Sequence, residues 1–454
     1  MSGRLIESLA TTPALAALFS DESVLGAMLE FETALARALR STGLIPTGAS
    51  DAITAAANAG NFDISLLADA AFRAGTPAIP LVKMLTDQVR KTSKDAARFV
   101  HWGATSQDVA DTAMSLLLKR AEPILIDDAL RLEKALADLS ERHKSSVMLG
   151  RTLLQAAPPV TFGLKAAEWL ASIRRGRRRL QEAFGLAAVV QFGGASGTLA
   201  SLGDRGISVA QSLSVELGLG NPPAPWHTQR DQLAMLICHC GVLTGSLGKM
   251  ARDISLLMQN EVGEAAEPGG EGRGGSSTMP NKRNPTACVL TLAAAQRVPG
   301  LVATFLSTMI QEHERGVGGW QAEWPIVAGV VQSTGAAIAS MAEVAEGLSV
   351  DTGRMRANIE DTNGAIFAER AMMLLGANLG RDVAHKILDE AVRRSAKEER
   401  HLAAVLAEIP EVTAHVGPAE LKQLETPEEY LGSAEYFRKA LISQSDRENN
   451  DKEQ

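Results

Sequence analysis

Aromatic residues make up only 4% of this 454-residue chain, and there are just two tyrosines and three cysteines. Strand-like alternation of Val, Ile and Tyr is scarce, whereas Ala and Leu are abundant. That balance disfavours sheets and favours long helices. Three cysteines, Cys238, Cys240 and Cys288, cannot build a disulfide framework. Cys238 and Cys240 flank His239 on one expected helix, where positions i and i+2 point to different faces. That spacing argues against a zinc site. Reduced core thiols suit a cytoplasmic protein. The N-terminal stretch has no long apolar run, so no signal peptide is expected. The apolar stretch 286–310 is interrupted by Arg297 and Pro299 and is expected to fall short of a membrane span. Positive charge is not in excess either. The formal net charge is −8, which disfavours nonspecific nucleic-acid binding. The one dense basic run, Arg174–Arg179 (RRGRRR), reads as a solvated or intersubunit helix face. The sequence has no phosphate-binding glycine motif followed by Lys-Ser/Thr and no His/carboxylate cluster at ligand spacing, so no metal or other cofactor is expected.

Hydrophobic residues account for 45% of the chain, enough for a large core. The first hundred residues alternate short helical patterns with breaks at Gly43–Pro46, Gly60–Asp63 and Gly75–Pro80. From Asp108 the patterns lengthen. Ala110–Lys144 is broken only by Pro123. Pro158–Gly185 follows, then a Gly-rich turn, Phe192–Thr198 (FGGASGT). Thr228–Glu264 has no proline and predicts one helix of about 37 residues, on the order of 55 Å long. Pro285–Gln311 predicts another, kinked at Pro299. After Val350 short charged helices resume, and Ser443–Gln454 reads as a frayed polar end. The expectation is an all-α protein of three domains, 1–109, 110–350 and 351–454. Leu233–Leu257 is apolar around more than one stripe, which argues for a helix bundle shared between subunits.

Chemistry concentrates in Gly275–Pro285 (GSSTMPNKRNP). Two hydroxyls, Ser276 and Ser277, stand close to Lys282 and Asn284. Glu267–Gly274 (EPGGEGRG) precedes them, with four glycines and a proline in eight residues. Each Gly costs roughly 1 kcal/mol and Pro about 3 in a helix, so this run is a loop. Loops that close over a substrate commonly deliver catalytic groups. A second cluster is His101–Thr112 (HWGATSQDVADT). There Thr105 and Ser106 precede a helix start suited to carboxylate binding. Gly103 lets backbone approach a ligand, and Asp108 reads as a plain N-cap. A third is Gly150–Gln155 (GRTLLQ). Its Arg151 suits either a bidentate carboxylate pair or a helix-start salt bridge.

The eleven-residue stretch resembles the signature GSSxMPxKxNP of the fumarase/aspartase superfamily. His101–Asp108 resembles its HxGxTSxD region, and GRTLLQ its GxTHxQ region. The resemblance runs over nearly the whole chain, strongest between residues 98 and 325, and includes Pro225–Asp231 (PWHTQRD) and Gln311–Trp324 (QEHERGVGGWQAEW). It implies a homotetramer with a central bundle of long helices and sites built from three subunits. It implies carbanion chemistry next to a carboxylate, with a small anionic di- or tricarboxylate as substrate. Ser276 matches the loop base, and Lys282 and Asn284 match the groups that hold the aci-carboxylate. His101, Thr105, Ser106, Arg151, Thr152, Gln155, His227, Asn281 and Arg315 are the expected substrate-binding positions.

One departure narrows the branch. The histidine of GxTHxQ is Leu153 here. In fumarases, argininosuccinate lyases and adenylosuccinate lyases that histidine assists proton transfer or the activation of water, and leucine has no proton to move. The resemblance therefore points to the 3-carboxy-cis,cis-muconate cycloisomerase branch, which lactonises its substrate within the molecule. Asn281 stands where that branch usually has histidine. This leaves open a different 3-substituent on the muconate, such as a sulfonate. Two rivals are an adenylosuccinate lyase-like enzyme, opposed by Leu153, and a crystallin-like structural protein, opposed by intact Ser276, Lys282 and Asn284.

Overall fold

A computed structural model describes residues 5–270, 274–275, 279 and 282–450, with side chains in the last helix described as far as Ser443. The described chain is dominated by helices, with two short two-stranded sheets, as the composition predicts. Six helices matter most for the site: α1 (Asp21–Ser41), α2 (Ser106–Arg142), α3 (Phe162–Ala187), α4 (Asp231–Leu257), α5 (Thr286–Thr308) and α6 (Gly319–Gly347). The hairpin β1 (Val147–Thr152) and β2 (Gln155–Thr161) stands between α2 and α3 in sequence.

Local chemistry sets these elements. Ser20 caps α1 by accepting from Ser23 N, and Asp21 and Glu22 sit in the first turn, where the helix dipole favours anions. α2 runs 37 residues straight through Pro123, where a break was expected. α4 is 27 residues, not the predicted 37. That shortens it to about 40 Å. It ends at Leu257 and gives way to turns over 258–262, after which Gly263 adopts φ +63° and Glu264 N donates back to the Leu257 carbonyl. Pro158 lies in a strand, so the helix expected from it begins at Phe162 instead. The polar C-terminal end, expected to fray, continues as helix to Asn450. Arg174 of the basic run is not solvated. It is bonded to the Ile442 carbonyl at 3.0 Å and lies 3.5 Å from Glu133.

The chain forms two compact units that interleave along the sequence. One comprises Met1–Leu130, Arg175–Gly248 and Leu290–Ser340, the other Arg131–Arg174, Lys249–Val289 and Met341–Gln454. In the first, the apolar face of α1 (Leu25, Met28, Phe31, Leu35, Leu39) belongs to one buried cluster with Val209, Leu213 and Leu217. In the second, Leu149 shares a core with Ile366, Phe367, Leu375, Leu388 and Leu402. Among the described residues, three helices are long and apolar enough to cross a membrane by length and composition: α4, α5 and α6. The interruptions in α5 therefore do not disqualify it, contrary to the expectation. Over their most apolar stretches α4 and α6 are mostly buried within the chain, whereas α5 is 22% buried.

Candidate active site

The segment that opens α2 is held by one buried carboxylate. Asp108 is the third residue of the helix and does not act as its N-cap. Its Oδ2 accepts from Thr105 N at 3.0 Å, half of a capping box. The same oxygen accepts from Gly194 N at 2.9 Å, and Oδ1 accepts from Gly193 N at 3.1 Å. His227 Nε2 donates to Oδ1 at 2.9 Å. Asp108 thus ties the hydroxyl segment, the Gly-rich turn and the His227 loop together in the first unit. The turn needs its glycines. Gly194 has φ +68°, and a Cβ on Gly193 would lie 2.8 Å from His227 Cε1. Gly103, at φ +82°, answers to packing, since a Cβ there would lie 2.6 Å from Leu202.

A second buried layer backs the first. Gln107 Nε2 donates to the His227 carbonyl at 2.7 Å and to Asp111 at 3.1 Å. Arg230 bridges Asp111 and Glu323 with bonds of 2.6–3.2 Å. Trp320 Nε1 donates to Asp111 at 2.9 Å, and the guanidinium lies 4.6 Å from the Trp226 ring centroid. Burial works against the Arg230 charge, but Asp111 and Glu323 outweigh it and hold its pKa above the usual value. Burial pushes the Glu323 carboxyl up, with Arg230 opposing. Arg315 donates to the Gly194 and Ala195 carbonyls at 3.2 and 2.9 Å, so it braces the Gly-rich turn.

His101 precedes the hydroxyl segment in sequence. It adopts φ +58°, and its Nδ1 lies 2.6 Å from Glu32 Oε1 of α1. Thr105 and Ser106 are half-buried beside it in sequence. Thus His101, Thr105, Ser106, His227 and Arg315 are brought into one unit, together with Pro225–Asp231 and Gln311–Trp324.

The second unit carries the other predicted residues. The tip of the β1–β2 hairpin is Leu153-Leu154, with φ of +51° and +65°, flanked by the pair Thr152–Gln155. Two positive φ values in a two-residue hairpin turn are usually met by Asn-Gly. Here both leucines are exposed, at 97% and 75%, and so are Thr152 and Gln155. Arg151 is on a strand, not at a helix start. It makes a bidentate pair with buried Glu264, at 2.9 and 2.7 Å. Asn358 holds the same carboxylate at 2.7 Å.

Lys282 is exposed, and Asn284 is half-buried. Asn284 N donates to the Gly274 carbonyl at 2.9 Å, which closes the base of the signature loop. Glu267 fixes the helix beyond it by accepting from Ala287 N and Cys288 N at 3.1 and 2.8 Å. Ser276, Ser277 and Asn281 lie outside the described residues. All three cysteines are free thiols, and burial pushes the Cys240 thiol up to about 12.

Sequence reasoning missed the carboxylates that do the holding: Glu32, Asp111, Glu264, Glu267 and Glu323. One signal was available for Glu32. It interrupts the apolar face of a strongly patterned helix, where charge is rare unless paired.

Known proteins place this geometry. A family described as Lyase matches residues 7–300, and one described as Adenylosuccinate lyase C-terminus matches residues 364–440. The chain is 46% identical over 98% of both chains to a 3-carboxy-cis,cis-muconate cycloisomerase of Bradyrhizobium diazoefficiens. It is 47% identical to one of Pseudomonas aeruginosa, covering 92% of this chain and 91% of that protein. Its structure resembles the crystal structure of the 3-carboxy-cis,cis-muconate lactonizing enzyme from Pseudomonas putida, with a TM-score of 0.91, 43% identity and coverage of 98% and 99%. A family match over more than half the chain, together with relatives of this identity and length, makes the chain a member of the lyase family of the fumarase/aspartase superfamily.

Proposed function

We propose that this protein lactonises 3-carboxy-cis,cis-muconate to 4-carboxymuconolactone. The observation that carries the reading is the near-full-length likeness to cycloisomerases. Leu153 at the exposed hairpin tip agrees with it, because a lyase-type histidine is missing there. One carboxylate of the substrate adds to a carbon–carbon double bond, forming the ring C–O bond. The displaced electron pair becomes a carbanion held as an aci-carboxylate, and a proton then adds to carbon. The substrate takes up one proton, which the protein recovers from solvent, and no water is added. The nucleophile is tethered, which can contribute up to roughly 7–11 kcal/mol.

In this reading Lys282 and Asn284 hold the aci-carboxylate, and Ser276 or Lys282 delivers the proton. A positive charge fixed where negative charge develops is usually the largest single source of such stabilisation. Thr105, Ser106, Thr152, Gln155 and Asn281 meet the substrate's carboxylates. Arg151, His227 and Arg315 are read as substrate-binding residues too; within its own unit each is fixed, Arg151 by Glu264, His227 by Asp108 and Arg315 by the Gly194 and Ala195 carbonyls. The active form is a cytoplasmic homotetramer, divided into the ranges 1–109, 110–350 and 351–454, with each site shared between subunits. The exposed apolar face of α5 supports assembly.

Adding the purified protein to 3-carboxymuconate without cofactors should abolish the muconate absorbance. No loss of absorbance would overturn the reading. Mixing Lys282→Met with Thr105→Val subunits should restore part of the activity lost by each alone, as shared sites require. The match to an adenylosuccinate lyase C-terminus favours a second reading, and incubation with adenylosuccinate tests it. Because of Asn281, kcat/KM should also be compared for the 3-carboxy and 3-sulfo substrates.

A further inference from the structure

Buried carboxylates in the first unit fall into two kinds. Asp108, Asp111 and Glu323 are saturated. Each accepts several hydrogen bonds, and together they lock segments in place. Glu32 is different. Its side chain is fully buried, yet Oε1 accepts a single bond, from His101 Nδ1, and Oε2 has no hydrogen-bond partner among the described residues. It sits on the apolar face of α1 among Met28, Leu29, Phe31, Leu35 and Ala36.

A carboxylate in such surroundings is costly to desolvate, and one bond does not offset that cost. If only the fold mattered, an apolar residue of similar size would serve the α1 core better. The gain must therefore lie in what Glu32 does to His101. A short Nδ1···Oε1 contact fixes the proton on Nδ1 and aims the ring. The backbone of His101 is held in the left-handed region, which is uncommon for a non-glycine residue. The His101 side chain retains 17% exposure, and Thr105 and Ser106 follow it closely in sequence.

We propose that Glu32 is a positioning residue for the reaction: its buried carboxylate orients His101 so that the imidazole Nε2–H binds a carboxylate of the substrate. This inference rests on the proposed function. It gives the first unit a cation for an anionic substrate, where Arg230 and Arg315 are both already engaged. Burial opposes a charged His101, but the Glu32 carboxylate, its hydrogen bond and Asp108 outweigh it and raise the imidazole pKa. The charged and titratable groups facing this ring are Glu32 from α1 and Asp108 from α2, the latter itself bonded to His227.

The test is the pH dependence of kcat and KM for 3-carboxymuconate in the full-length wild type, Glu32→Gln and His101→Asn. Glu32→Gln keeps the size and an oxygen acceptor but removes the charge. At pH 8.5 its KM should rise about tenfold, the scale of a lost charge-assisted bond, while kcat changes less than about threefold. The fall in kcat/KM with rising pH should start at lower pH than in wild type, and activity should recover toward pH 6. A merely structural role would lower kcat/KM equally at all pH values, and that result overturns the proposal. An unchanged profile also overturns it. His101→Asn should lose the basic limb altogether. If Glu32→Gln does not fold, persistence of that limb in His101→Asn overturns the proposal. Absence of turnover in the wild type would instead overturn the functional reading itself.

Discussion

The hydroxyl segment at the start of α2 and the hairpin tip at Leu153-Leu154 are built in opposite ways. Around Asp108 and Arg230, buried charges are paired and hydrogen-bonded within one unit, so the geometry exists before any ligand arrives. Such preorganisation is what makes polar groups effective in a site. The hairpin tip has the reverse character. Two leucines are exposed and strained, and Thr152 and Gln155 beside them are exposed as well. A left-handed residue with a side chain costs roughly 1–2 kcal/mol. Strain combined with exposed apolar surface marks an element whose environment is completed from outside itself. We propose that a second copy of the chain supplies that environment.

The comparison breaks most sharply at Arg230. Arg230→Met leaves Asp111 and Glu323 buried without their cation. Breaking a buried pair costs about 3–5 kcal/mol, and two orphaned carboxylates put this variant near the upper end. Urea unfolding followed by circular dichroism should show that loss, together with lost turnover. An unchanged midpoint would mean that the network does not stabilise the unit.

Lys282→Met should behave in the opposite way. The side chain is exposed, so stability should change by less than about 0.5 kcal/mol. Turnover should fall about 10²–10³-fold, the scale of a lost transition-state contact. A variant that unfolds as readily as Arg230→Met would erase the contrast between a buried charge network and an exposed side chain proposed to act in catalysis.

Smaller and pH-dependent is the contribution of His101. Its pKa is raised in the folded protein. The stabilisation it brings is therefore fully present below the ordinary histidine value and is lost as pH rises through the folded-state value. The stability gap between wild type and His101→Asn should accordingly narrow from pH 6 to pH 9. A gap that widens over that range would contradict the sign.

Much of this was legible in the sequence because it rests on local pattern. The all-α class follows from Ala/Leu-rich periodicity, and the signature loop is marked by glycine and proline. The signal ran out where the outcome depends on contacts distant in sequence. No local feature says that Glu264 reaches back to Arg151, 113 positions earlier, or that Asp108 binds His227, 119 positions on. Pro158 fell in a strand because its neighbours pair with β1, Pro159 with Leu149 and Ala157 with Gly150, and it takes the unpaired place at the bulge between them. Helix propensity is a weak prior against such tertiary pairing. The end of α4 was missed for a local reason, since the helix gives way to turns at the polar run Gln259–Glu261, which carries no proline to mark it.

The smallest effect probes the hairpin tip directly. Leu153→Asn with Leu154→Gly installs the residues that a two-residue turn with positive φ favours. Full relief at position 154 and partial relief at position 153 should stabilise the hairpin by at least about 1–2 kcal/mol if the tip is free. If a second copy packs against Leu153 and Leu154, the same change removes buried apolar area. At about 25 cal/mol per Å², burial of two leucine side chains is worth as much as the relieved strain or more. The two cases separate on dilution. A free tip predicts a higher melting temperature at every protein concentration. A covered tip predicts a melting temperature that drops on dilution more steeply than in wild type, with a shift toward smaller species in light scattering. The second outcome is expected, because two strained, exposed leucines at one turn have no stabilising contact within the hairpin itself.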